Sequence, residues 1–279
     1  MITCKEALGQ VVNMLVVAGV PDADIDAWYL FEYVTGMSRS SYFLHKEEEI
    51  EQEQAATLVK LAEQRAKRVP LQYITGSQEF MGYSFLVSPA TLIPRQDTEI
   101  LVEEVSREAN GKRVLDLCTG TGCILLSLAK MCHLPDAVGT DISAEAIETA
   151  KSNATRLDAI AEFYCGDLFD AVPTGRCFDI IVSNPPYIPS AVIETLMPEV
   201  KEHEPMSALD GDEDGLFFYR KIIHEANKFL ANQGRIFFEI GCEQGEDVSL
   251  LLRENGFQNI RVIKDLAGLD RVVSATLVK

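Results

Sequence analysis

Hydrophobic positions change texture twice along the chain. Up to about residue 75 they recur at helical spacing, with no run that alternates like a strand. Thr3 with Glu6 makes a capping-box pattern, Gly19-Val20-Pro21 stops the first segment, and a second runs over 23–34 to Gly36. A short helix fits 38–44. A longer one fits 47–68, with Ala55, Ala56, Leu58, Val59, Leu61 and Ala62 toward a core and Pro70 just beyond. Glu47-Glu48-Glu49 then stands at a helix start, where the dipole favours acids and solvent surrounds them. This part holds no Gly-rich loop and no nucleophile, so it reads as a small helical bundle for recognition rather than chemistry.

The texture then breaks. Phe80-Met81-Gly82-Tyr83 followed by Phe85-Leu86-Val87 reads as a β-hairpin closed off by Pro89 and Pro94, the expected inter-domain linker. An amphipathic helix follows to about Ala109, with Asp97 or Thr98 as its N-cap. From Arg113 onward, short apolar runs alternate with helical segments. Strands fit 113–117, 137–141, 161–165, 178–183 and 235–240; helices fit 122–131, 143–156, 215–230 and 244–255. Repeated β-α units predict a parallel sheet covered by helices on both faces. The last two strands, 259–264 and 271–277, have only Asp265-Leu266-Ala267-Gly268-Leu269-Asp270 between them, so they are expected to pair antiparallel.

Composition narrows the class. A chain of 279 residues suggests two domains, and 47% hydrophobic residues supply an ordinary core. No apolar run approaches the ~20 residues of a membrane span, and the N-terminus lacks a signal-peptide layout, so a cytoplasmic protein is expected. Seven dispersed cysteines without a C-x-x-C, and four dispersed histidines, predict buried reduced thiols and no metal site. A net charge of −18 makes direct binding of duplex DNA unexpected and a basic partner surface more natural.

The candidate chemistry lies at strand ends. After the first strand comes Asp116-Leu117-Cys118-Thr119-Gly120-Thr121-Gly122, whose glycines let a ligand approach the backbone. A dinucleotide fingerprint wants a third glycine where this chain has Leu125, which disfavours a dehydrogenase. Asp141 ends the second strand, where a carboxylate can accept from both ribose hydroxyls. Asp167, after the third strand, is suited to an adenine amino group with Leu168 against the ring, or to a solvent-facing turn. The run 178–183 ends in Asn184-Pro185-Pro186-Tyr187. Its prolines fix φ and donate no hydrogen bond, leaving a stiff set of acceptors for a planar –NH2 group, covered by an aromatic face from Tyr187. Arg95 reads as a substrate contact or, more simply, a surface residue. The acids of Glu202-His203-Glu204-Pro205 read as contacts to a cationic substrate loop or, more simply, as a solvated turn.

Together these residues resemble the release factor glutamine methyltransferases (PrmC/HemK family), over both expected domains. The stretches that carry the resemblance are Pro70-Leu71-Gln72-Tyr73-Ile74-Thr75-Gly76, Val87-Ser88-Pro89-Ala90-Thr91-Leu92-Ile93-Pro94-Arg95, 115–122, 183–188, Glu204-Pro205 with Asp214-Gly215-Leu216, and 265–273. The family usually has glycine where this chain has Cys118, a change of little cost if φ there is negative, and often proline where it has Gln96. The resemblance implies a class I S-adenosylmethionine-dependent methyltransferase fold, with a Rossmann-like, mostly parallel seven-stranded sheet. It implies a helical substrate-recognition domain over 1–76, a hairpin linker over 77–95 and a catalytic domain over 96–279. It further implies S-adenosyl-L-methionine as methyl donor, with S-adenosyl-L-homocysteine as product, and class I peptide chain release factors as protein substrate. Cys118, Thr119, Gly120, Thr121 and Gly122 are implied to line the methionine moiety, Asp141 to bind ribose, and Asp167 and Leu168 to face adenine. Asn184, Pro185, Pro186 and Tyr187 are implied to hold the glutamine amide, with Asn184 between cofactor and substrate. The alternatives are glutamine methylation of a ribosomal protein, methylation of a nucleic-acid exocyclic amine, and a non-catalytic adenosylmethionine-binding adaptor.

Overall fold

The computed structural model describes residues 2–279. They form two compact units, one of residues 2–76 with Met197–His203, the other of Ser77–Leu196 with Glu204–Lys279.

The first unit is helical. It contains α1 (Cys4–Val17), α2 (Ala23–Thr35), α3 (Arg39–His45), α4 (Gln52–Ala66) and the short α5 (Leu71–Thr75), which periodicity does not anticipate. Thr3 Oγ1 accepts from the Glu6 amide and Glu6 returns its carboxylate to Thr3 N–H, closing the expected capping box. Gly36, at φ +69°, ends α2 in the left-handed conformation that lacks a Cβ penalty. Leu15, Ala27, Leu30, Phe31, Leu58 and Ala62 make the core, and Trp28 meets Tyr42 edge-on with 5.5 Å between ring centroids. The acidic run Glu47-Glu48-Glu49 is exposed, yet it precedes α4 instead of starting it. The backbone there is engaged with the start of the chain: Cys4 N–H donates to Glu48 O (2.9 Å) and Ile50 N–H to Ile2 O (3.1 Å). Segment Met197–His203 is fastened to α4 by charge. Arg65 bonds Asp26 at 2.6 Å and Glu199 at 2.8 Å, and Arg68 grips both oxygens of Glu199 at 2.6 Å. Burial works against the Glu199 charge, but Arg68 and Arg65 together hold its carboxyl down at about 2.

The second unit opens with the hairpin β1 (Ser77–Phe80) and β2 (Tyr83–Leu86), whose Phe80 and Phe85 are buried in its core. The hairpin thus packs as part of this unit. Next come α6 (Gln96–Ala109), β3 (Arg113–Leu117), α7 (Cys123–Met131), β4 (Asp136–Asp141), α8 (Ala144–Leu157), β5 (Glu162–Cys165) and β6 (Phe178–Ser183). After a long connection follow α9 (Phe217–Phe229), β7 (Leu230–Glu239), α10 (Gly245–Glu254), β8 (Phe257–Lys264) and β9 (Asp270–Leu277). The seven-stranded sheet has the order β5-β4-β3-β6-β7-β9-β8, parallel except for β9, which runs antiparallel to β7 and β8. The short connection expected between the last strands, here residues 265–269, joins this antiparallel pair. Alternate strand residues enter two cores. Val114, Ile180, Val182 and Phe237 pack with α6, α7 and α8. Leu115, Leu117, Ile181, Ile236 and Phe238 pack with α9 and α10. Coverage on both faces explains why the central strands read as unbroken apolar runs. Among the described residues no helix is long and apolar enough to cross a membrane.

Candidate active site

The strand order reverses between β3 and β6. The chain moves outward from β3 through β4 to β5, then returns to place β6 on the other side of β3. Ligands bind in such open sheets outside the carboxyl ends of the strands at this point. Here Leu117 of β3 is level with Ser183 of β6 and with Thr140 of β4, so the turns leaving all three strands share one edge. They open into a cleft. Cys118, Thr119, Gly120, Thr121, Asp141, Asp167, Leu168, Asn184 and Pro186 line it. Gly122, Pro185 and Tyr187 do not, although the sequence grouped them with the others.

The loop after β3 is braced from below. Thr119 Oγ1 donates to buried Asp116 at 2.6 Å, Thr119 N–H donates to Thr140 O at 3.0 Å, and Gly120 N–H donates to Asp141 Oδ2 at 2.9 Å. Gly122, at φ +77°, caps α7; a Cβ there would stand 3.1 Å from Leu126 and 3.3 Å from Ala150. Asn153 of α8, fully buried, donates to Thr121 O and to Leu86 O and accepts from Leu86 N–H, tying the loop to the hairpin. Asp116 itself faces the core, and burial pushes its carboxyl up to about 7. Its role is to hold the loop. Asp141 also accepts from Ser143 N–H at 3.0 Å, and Asp167 pairs with Lys221 at 2.7 Å. Leu168 is buried at the cleft wall.

The turn after β6 departs from expectation at Tyr187. Its ring lies against the core beside α9, and its hydroxyl donates to Glu239 at 3.3 Å. It therefore backs the turn instead of covering the cleft. The Tyr187 carbonyl accepts from Gln244 Nε2 at 3.0 Å, and a Cβ on Gly215 would meet that carbonyl at 2.4 Å. Asn184 donates Nδ2–H to Thr98 Oγ1 at 3.5 Å. Thr98 is buried and is no N-cap: α6 begins two residues earlier, after Arg95.

Residues 6–76 match the PrmC N-terminal domain family and residues 95–199 the methyltransferase small domain family. A release factor glutamine methyltransferase from Agrobacterium fabrum is 44% identical over 92% of this chain and 91% of its own length. The enzyme of that name from Geobacter sulfurreducens is 41% identical over 99% and 97%. The chain belongs to the release factor glutamine methyltransferase family. A methyltransferase from Pyrococcus furiosus shares the fold at a TM-score of 0.54, with 16% identity over 70% of this chain and 89% of that one.

Two of the stretches that carry the resemblance, 87–95 and 204–205, are joined by an ion pair at the cleft edge. Arg95, from the segment after the hairpin, lines it and is ion-paired with Glu204, whose side chain is only 1% exposed. The solvated reading of 202–205 is thus wrong for Glu204, whose burial raises its carboxyl despite Arg95; it holds for exposed Glu202. Gly215 permits the close approach to Tyr187, and Arg271 bonds Asp97 and Asp265 at 3.1 Å each. All seven cysteines are unpaired, but Cys165 and Cys242 are exposed, against the expectation of burial. Among the described residues no cluster could hold a metal ion.

Cys118 is the one departure from the family glycine with a structural cost. Its φ is +60°, not negative. An L-residue there is disfavoured by about 1–2 kcal/mol. Its thiol packs partly against the core and burial pushes it well above the ordinary range, so it stays protonated and is no nucleophile. Cys118→Gly is expected to stabilise the protein by about 1 kcal/mol, raising the thermal midpoint by roughly 2–4 °C. An unchanged or lower midpoint would show that the lost packing outweighs the relieved strain.

Proposed function

We propose that this protein methylates N5 of the glutamine in the Gly-Gly-Gln motif of class I peptide chain release factors, using S-adenosyl-L-methionine and leaving S-adenosyl-L-homocysteine. The supporting observation is that the 184–187 turn leaves β6 at the point of strand reversal and opens into the same cleft as the glycine loop and Asp141.

The residues of the cleft fit that methyl donor. Its charged lining is Asp141, Asp167, Asp210 and Arg95, and Arg95 is already paired with Glu204. A pyrophosphate would find no spare counter-charge, whereas a sulfonium is compatible with acids. Residues 118–121 would line the methionine moiety, with Gly122 shaping the loop from behind. Asp141 would take the ribose hydroxyls, and Leu168 with Asp167 the adenine. When bound, the donor supplies an electrophilic methyl group.

The chain's own part is to present the acceptor nitrogen. Asn184 Oδ1 accepts one hydrogen of the glutamine amide, and the Pro185 carbonyl, outside the cleft lining but between Asn184 and Pro186 that belong to it, accepts the other once the substrate is seated. An amide nitrogen is a weak nucleophile because its lone pair is delocalised; two fixed acceptors favour the positive charge that develops on it and orient the lone pair. The nitrogen becomes acidic once it forms its new bond to carbon, and its proton can leave late, so no strong base is needed. Recognition of the release factor falls to the helical unit, whose surface exposes Tyr29, Tyr33, Phe43 and Leu44. Such a substrate places the enzyme in the cytoplasm.

The test is incubation with methyl-labelled S-adenosyl-L-methionine and release factor, ribosomal proteins or DNA. Label is expected on the release factor alone and is expected to vanish when the glutamine of Gly-Gly-Gln is replaced. Label only in DNA or in a ribosomal protein overturns the reading.

A further inference from the structure

Behind the 184–187 turn lies a buried carboxyl group that the reaction does not itself require. Glu239 ends β7 and is 2% exposed. Its Oε1 accepts from Tyr187 Oη, and its Oε2 is buried with no hydrogen-bond partner. The Thr98 hydroxyl flanks the same carboxyl and favours its charged form. Thr98 Oγ1 in turn accepts from Asn184 Nδ2. The unpartnered carboxyl oxygen, the Thr98 hydroxyl and the Asn184 amide, which reaches the cleft, are therefore neighbours, and a hydrogen bond joins the last two.

We propose that Glu239, acting through Thr98, is the positioning residue that selects which end of the Asn184 amide faces the substrate. The argument is one of donor and acceptor direction. An ionised carboxylate only accepts, and a buried carboxylate oxygen left unpaired is costly. The single hydroxyl hydrogen of Thr98 is therefore drawn to Glu239. What Thr98 has left is lone pairs, so it can only accept from Asn184. That turns Nδ2 toward Thr98 and leaves Oδ1 for the cleft. A substrate –NH2 needs that oxygen; the opposite orientation would set two –NH2 groups against each other. The same carboxylate accepts from Tyr187 and so holds the turn from its other end. The inference deepens the proposed function and rests on it in taking Asn184 Oδ1 as the acceptor for the substrate.

Protonation reverses the direction. A protonated Glu239 becomes a donor, which frees Thr98 to donate to Asn184 Oδ1 and turn the amide over. Burial raises the Glu239 carboxyl to about 7. The groups that face it are Tyr187 at the exit of β6, Asp97 on α6, Arg271 on β9, Tyr219 on α9 through its bond to the Glu239 carbonyl, and Cys123 on α7. Arg271 is shared between Asp97 and Asp265, which limits what it offers Glu239. Above the raised value the carboxylate form directs the amide; as pH falls through it the orientation is lost.

Two readouts test the series. One is the side-chain amide resonance of Asn184 in the 15N-labelled protein. It is expected to titrate with a midpoint near the Glu239 value in the wild type and to stop titrating in both Glu239→Gln and Thr98→Val. The other is methyl transfer to the release factor. Thr98→Val, nearly isosteric, is expected to lower kcat by roughly 30-fold with little change in KM. Thr98→Ser, which keeps the hydroxyl, is expected to recover most of that loss. Wild-type kcat in Thr98→Val, or an Asn184 resonance that titrates normally in Glu239→Gln, overturns the proposal. Should the wild type transfer no methyl to the release factor, the proposed function fails while the Asn184 titration still decides the series.

Discussion

Asn184→Ala is expected to reduce methyl transfer to the release factor by about 10²–10³ while S-adenosyl-L-methionine binds within a few fold of the wild type. The asymmetry follows from the geometry. The glycine loop and Asp141 are braced by hydrogen bonds from or to Asp116, Thr140 and Ser143, whereas Asn184 is bonded to Thr98. Removing the Asn184 amide strips an acceptor from the substrate side and leaves the Thr98 hydroxyl without its donor. The check is kcat for methyl transfer beside a calorimetric affinity for the methyl donor. Near-normal turnover with the donor still bound would remove Asn184 from the acceptor role. Equal loss of binding and turnover would place it in the donor site alone.

The second large effect is expected at Gly215, which packs against the back of the 184–187 turn. Its φ is +73°, and an added Cβ would lie 2.4 Å from Tyr187 O and 2.7 Å from Gln244 Nε2. Gln244 already bonds both Tyr187 O and Gly215 O, so the backbone of the turn has no slack on that side. Gly215→Ala combines left-handed strain with overpacking and is expected to cost about 2–4 kcal/mol. It should also displace the 184–187 turn and reduce turnover sharply. Gly256→Ala supplies the control, because its φ is +84° but nothing lies within 4 Å of the added carbon. That variant is expected to lose only the strain cost, about 1–2 kcal/mol. Equal denaturation midpoints for the two variants would show that the contact with Tyr187 carries no weight.

These two residues differ in how visible they are along the chain. Asn184 follows a strand buried on both faces, and doubly buried strands show as unbroken apolar runs; 113–117 and 178–183 coincide with β3 and β6. The cleft was legible for the same reason, since the binding edge of an open sheet follows from where its strands end. Side-chain direction was not. Tyr187 follows two prolines and gives no periodic signal, so nothing local told that its ring turns inward to Glu239, 52 positions away. Thr98 resembled an N-cap by residue type, but its hydroxyl oxygen accepts from Asn184, 86 positions on. Cys118 carried no trace of its positive φ beyond the glycine its family prefers there. Partners held by tertiary contacts leave little local trace, and Glu204 is a further case: an acid in a polar stretch that burial and Arg95 claim together.

The composition of the helical unit bears on how the protein can be dissected. Because Met197–His203 belongs with residues 2–76, the chain leaves that unit after Gly76, returns at Met197 and leaves again after His203. A fragment beginning after Gly76 retains Glu199 while losing both guanidinium groups that keep it charged under burial. Expressing the sheet-containing part alone therefore calls for two edits, removal of the leading helices and redesign of an internal loop, and a simple amino-terminal truncation is a poor proxy for an isolated catalytic domain.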